Sequence, residues 1–142
     1  VNEYGDRLRI AEHESCHAIA AQEMGLPVSW VTIERGTDEG VIYMAAVKIP
    51  DELIDAERDC FAICVAMSAP VHLTTHLAHE VGRYARAEAL LAYELGGRNG
   101  HRQADIWDRA SDIVDERHGD IVALAYRLLE EGTVTMDAAA VA

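Results

Sequence analysis

His13-Glu14-Ser15-Cys16-His17 places two imidazoles four residues apart, a spacing that constrains this stretch to be a helix if both rings serve one purpose. On a helix, residues i and i+4 share a face about one turn apart and can grip a single ion. Glu14 follows the first histidine on the flank of that face, where its carboxylate reaches a metal-bound water rather than the metal. The five residues form a complete HExxH motif, the minimal machinery of a zinc hydrolase. The plainer alternative is a histidine pair packed or solvated on an amphipathic helix.

The flanking residues support the helix. Asp6 is placed to cap a helix beginning near Arg7, and Leu8, Ala11, Ser15, Ala18, Ile19 and Gln22 recur with helical spacing. Gly25 and Pro27 supply the stop for a helix ending near Met24. Farther on, Val28 to Ile33 is rich in β-branched and aromatic residues, Glu34 to Gly40 reads as a turn, and Val41 to Val47 returns as a second strand. Pro50 ends that hairpin, and a helix is expected from there towards Met67. Ala69-Pro70 interrupts the pattern, a long helix is expected over Leu73 to Leu95, and Gly96-Gly97 is read as its end. Helices follow at about Gln103 to Arg117 and Ile121 to Glu131, with Thr135 or Asp137 as a cap for a short terminal helix.

The expected fold is therefore α+β, a mainly helical zincin-like domain. A small two-stranded or slightly larger sheet packs on the HExxH helix, since so small a sheet does not stand alone. With 142 residues and half of them hydrophobic, the chain reads as one domain over 1–142. No apolar run approaches the length of a membrane span, Cys60 to Val71 being the longest. The first residues lack the basic and apolar sections of a secretory signal, so a cytoplasmic protein is expected. The 25 acidic and 12 basic side chains give a formal charge of −13. Such a field repels phosphate backbones and anionic lipid, so neither nucleic acid nor membrane is an expected partner. Cys16, Cys60 and Cys64 form no CxxC pair and read as reduced core thiols. Trp30, Tyr43, Phe61 and Trp107 are dispersed and read as core or cleft walls, and Arg35 and Arg109 as paired surface charges.

Two neutral histidines leave a tetrahedral Zn2+ two positions short, one for a third protein ligand and one for water. The ion would lower the pKa of that water from about 15.7 towards about 7. Glu14 would act as general base towards an amide carbonyl and then protonate the leaving nitrogen. No third histidine follows closely, since Ala20 and Glu23 stand where an extended motif would continue. Asp105, near the start of a helix, is one candidate ligand. His72, His76 and Glu80, at four-residue steps with His79 beside them, are another.

His13 to Ala20, followed by Val31-Thr32-Ile33-Glu34-Arg35-Gly36 and by Gly40-Val41-Ile42-Tyr43, resembles the start of the peptidase domain of FtsH-type zinc metalloproteases. Asp105-Ile106-Trp107-Asp108-Arg109-Ala110 resembles that family's segment carrying the third zinc ligand. The resemblance covers roughly residues 8 to 131 and implies zinc held by His13, His17 and Asp105, with Glu14 as the catalytic base. It implies a metalloendopeptidase acting on peptides or flexible polypeptides.

The chain departs from the family in four respects. Cys16 stands where the family has glycine, and Met67 to His72 occupies the region of a glycine-rich segment without matching it. No phosphate-binding loop of an ATPase and no membrane anchor occur in the sequence. Unfolding of a substrate would then need a separate unfoldase or regulatory protein. A monomer or small homo-oligomer is expected. The alternative function is a catalytically silent or regulatory zinc-binding interaction domain; intact Glu14 argues against it, because structural zinc needs no base.

Overall fold

Seven consecutive residues of the first helix, Ser15 to Ala21, are all buried, so the second half of α1 (Glu3–Glu23) is an interior element and not a surface amphipath. The computed structural model describes residues 3–38, 40–43, 45–49, 65–69, 71, 83–98 and 100–136. Alanines 11, 18, 20 and 21, with Ser15 and Cys16, are fully buried and let neighbouring elements approach the α1 backbone closely. The helix begins about a turn before the expected start, so Asp6 lies inside it rather than capping it. Its end is where the sequence places it. Leu26 N–H donates to the Ala21 carbonyl at 2.8 Å and Gly25 N–H to that of Gln22 at 2.9 Å, a Schellman closure.

Among the described residues, long helices follow at α2 (Arg83–Arg98), α3 (Gln103–Glu116) and α4 (His118–Glu131). Residues 65–69 are also helical. The expected helix from Pro50 to Met67 and the first part of the one from Leu73 lie mostly outside the described residues. α2 runs through Gly96-Gly97, the expected end of this helix. A helical glycine costs only about 1 kcal/mol relative to alanine, so the pair weakens the helix without breaking it. The chain turns instead at Gly100, where φ is 82° and His101 N–H reaches back to the Gly96 carbonyl at 2.9 Å. α4 likewise starts three residues earlier than expected, with only Arg117 between it and α3.

α1 packs most extensively on α4, whose inward residues Ile121, Leu124, Ala125 and Leu128 recur at helical spacing and are buried. α1 also meets β1 and β4 of a three-stranded antiparallel sheet of order β4-β1-β5, made of β1 (Trp30–Thr32), β4 (Ala46–Lys48) and β5 (Thr133–Thr135). Val31 sits between Val47 and Val134 in the register, and Val31 and Val134 are buried. β2 (Gly36–Asp38) and β3 (Val41–Tyr43) form a separate two-stranded ribbon.

The sheet differs from the expected hairpin in three ways, the first being that Gly36–Asp38, within the expected turn, is the strand β2. Val41 to Val47 divides, its first part pairing with β2 and its last with β1. Thr133–Thr135, expected to lead into a terminal helix, is a strand on the far side of β1. Thr32 ties the two together: its buried hydroxyl lies 2.7 Å from that of Thr133 and donates to the Gly132 carbonyl at 3.2 Å. Gly132 makes the turn from α4 into β5 at φ 76°, and a Cβ there would collide with the Glu34 carboxylate. The chain is thus mainly helical with a small antiparallel sheet, an α+β arrangement. Among the described residues no helix is long and apolar enough to cross a membrane.

Candidate metal centre

The interior of α1 fixes His13 and His17 one turn apart, with ring centroids 4.7 Å apart and planes at 76°. His17 is buried and His13 half-buried. The third member of the cluster comes from α2. Glu88 Oε2 lies 3.1 Å from His17 Nε2 and 3.2 Å from His13 Nε2, and the two Nε2 atoms are 3.1 Å from each other.

These three atoms form a nearly equilateral triangle. Two nitrogen or oxygen ligands held about 2.05 Å from a tetrahedral zinc ion stand about 3.3 Å apart. The triangle is within a few tenths of an ångström of one face of such a tetrahedron. His13, His17 and Glu88 would together hold one such ion through these three atoms. Among the described residues, these are the histidine, cysteine and acidic side chains close enough together to hold an ion. The donor set, two imidazoles and a carboxylate, suits zinc and other first-row divalent metals.

His17 Nδ1 donates to the Val65 carbonyl, which leaves Nε2 facing His13 and Glu88. A ring nitrogen anchored to a backbone carbonyl is the usual way a protein fixes the tautomer of a metal-binding histidine. Burial alone would lower the His17 pKa, but the Glu88 hydrogen bond and charge, the Glu14 charge and the Val65 bond together raise it. Burial pushes the Glu88 carboxyl up, yet hydrogen bonds to His13 and His17 and their charges outweigh it and hold the group at about 2. Glu88 is therefore a carboxylate at neutral pH.

Glu14 behaves differently. Burial raises its pKa, and although the His17 and His13 charges pull it down, with Glu88 pushing the other way, the net shift is upward. Two carboxyl groups beside the same histidines are thus driven in opposite directions, the pattern that separates a proton carrier from a permanent anion.

Asp105 does not join the cluster. It lies in the first turn of α3 as expected, but its carboxylate is exposed and accepts from Arg102 Nε at 3.1 Å. The structure brings Glu88 rather than Asp105 to the histidines. His72, His76, His79 and Glu80 lie outside the described residues, as do Cys60, Cys64 and Phe61. Cys16 is fully buried, and burial, with help from the Glu12 and Glu14 charges, pushes its thiol well above the usual range. It packs in the core beside the site without belonging to the ligand group. Trp30 and Trp107 are half-buried, while Arg35 and Arg109 are exposed, Arg109 donating to Met24 Sδ at 3.5 Å.

Glu88 escaped the sequence reading because α2 inverts the usual pattern. Leu90 and Leu91 are 69% and 48% exposed, whereas Ala89, Ala92 and Gly96 turn inward on the side of Glu88. The available signal was a glutamate four residues before an alanine and eight before a glycine, on a face of small side chains. Comparison of the sequence with protein-family models and with curated proteins gave no match in either case.

Proposed function

We propose that this chain is a zinc-dependent hydrolase of peptide bonds, with His13, His17 and Glu88 as the metal ligands and Glu14 as the general base. The observation that carries this reading is the ligand triangle, whose 3.1–3.2 Å edges come from two helices and fit one face of a zinc tetrahedron. Zinc bound there supplies a Lewis acid for the scissile carbonyl and brings the pKa of a coordinated water to about 7. The protein's own groups do the rest. His13 and His17 present Nε2 lone pairs, and the Val65 carbonyl keeps the His17 ring turned towards the cluster. Glu14 takes a proton from the attacking water and delivers it to the departing amide nitrogen.

The zincin-like fold and the kinship with FtsH-type peptidase domains belong to this proposal. They are supported by an HExxH motif on a rigid interior helix and by a strand at Val31-Thr32 packed beside it. The substitution of Glu88 for an aspartate ligand on α3 sets the chain apart from that family's pattern. Peptides and already flexible polypeptides are the proposed substrates.

The test is zinc stoichiometry by mass spectrometry combined with a quenched-fluorescent peptide library. One zinc per chain and cleavage abolished by Glu14→Gln support the proposal. A stoichiometric zinc protein that cleaves nothing in the library would favour a zinc-stabilised interaction domain instead.

A further inference from the structure

The Val65 carbonyl accepts two hydrogen bonds from buried side chains. One comes from His17 Nδ1, the other from Ser68 Oγ at 2.8 Å. His17 is 6% exposed and Ser68 is fully buried, so neither donor is readily replaced by solvent. A carbonyl oxygen has two acceptor directions. The serine hydroxyl crowds one side of that oxygen and confines the imidazole to another. A serine in a helix often bonds a carbonyl three or four residues back merely to satisfy its own hydroxyl. Here the carbonyl it bonds is the one that holds a member of the ligand triangle, although Val65 and His17 are 48 residues apart.

We infer that Ser68 is a positioning residue for the metal centre: by bonding the Val65 carbonyl it fixes the direction from which that carbonyl holds His17, and so keeps Nε2 aimed at the ion. The inference rests on the metal reading given above. Partners one step behind a metal ligand typically change metal affinity by about 10- to 100-fold when removed. Ser68 acts through the carbonyl, so its loss should fall at the lower end, about tenfold.

The experiment is zinc titration of the whole chain and of Ser68→Ala, with proton–nitrogen NMR of the His17 Nδ1–H in the metal-free proteins. Expected for the variant are about tenfold weaker zinc binding and an Nδ1–H that exchanges faster with solvent because its bond to the Val65 carbonyl is less firmly held, both restored by Ser68→Thr. Zinc affinity within twofold of the parent and unchanged Nδ1–H exchange would overturn the inference. If alanine unfolds the chain, Ser68→Cys, close in size but a weak donor, gives the same readouts. If the parent protein binds no zinc, the metal reading fails. The exchange comparison then decides the positioning role alone, faster exchange supporting it and unchanged exchange refuting it.

Discussion

Replacing Glu88 by glutamine keeps the side chain's size and removes the negative charge that closes the ligand triangle. Structural zinc sites with four protein ligands bind with roughly 10–16 kcal/mol at neutral pH, or about 3 kcal/mol per ligand. Loss of the Glu88 carboxylate should therefore weaken zinc binding about 100-fold. Thermal melting reads this out directly. At a free zinc concentration of about 100 times the parent Kd, binding stabilises the native chain by about 2.7 kcal/mol. For a domain of this size that raises the melting temperature by about 10 °C. The same zinc concentration equals the variant's Kd and contributes only about 0.4 kcal/mol, an increase of 1–2 °C at roughly the same scaling. Each protein is compared with its own metal-free melt, so any intrinsic effect of the substitution cancels. A Glu88→Gln protein that keeps the full zinc-induced increase would refute the triangle as the metal site.

Four other outcomes follow from the described contacts. Asp105→Ala should leave zinc affinity within twofold and stability within about 0.5 kcal/mol, because the carboxylate is exposed and paired with Arg102; isothermal titration would show a ligand role at once. Glu14→Gln should retain stoichiometric zinc yet lower peptide cleavage by about 10²- to 10⁴-fold, measured as kcat on a cleaved library member. Leu128→Ala removes a fully buried side chain at the α1–α4 contact and should destabilise the fold by about 2–5 kcal/mol in urea melts. Gly132→Ala should cost about 1 kcal/mol or more, since alanine is strained at φ 76° and must displace Glu34; an unchanged urea midpoint would contradict the described turn.

The parts of the molecule legible in the sequence are those whose cause is local. The HExxH helix and its end at Gly25 follow from residue spacing and a terminating glycine. The span of α3 follows from Ile106, Ala110, Ile113 and Val114 recurring on one face. The candidate residues His13, Glu14 and His17 come together because one helix carries them all. Glu88 could not be found that way, because its proximity depends on how α2 docks, and the exposed Leu90 and Leu91 make the wrong face look buried. β5 was missed for a related reason. Thr-Val-Thr is too short to declare itself, and its strand character comes from β1, about 100 residues earlier in the chain. Asp105 was favoured by a motif likeness in a helix whose first turn attracts acidic residues for reasons of the helix dipole alone.

The pairing of Trp30 with Thr135 has a consequence for the order of events during synthesis. The ribosome delivers residues at about 5–20 per second, so the first strand waits several seconds at least for its far neighbour. Throughout that interval the histidine helix has neither its fourth-helix partner nor a closed sheet against it. Contacts of such long range fold slowly because the intervening chain must be gathered first. The nascent chain would then complete the framework around its histidines only after Thr135 has been made. Until then the buried alanine face of the first helix is the surface a chaperone would meet.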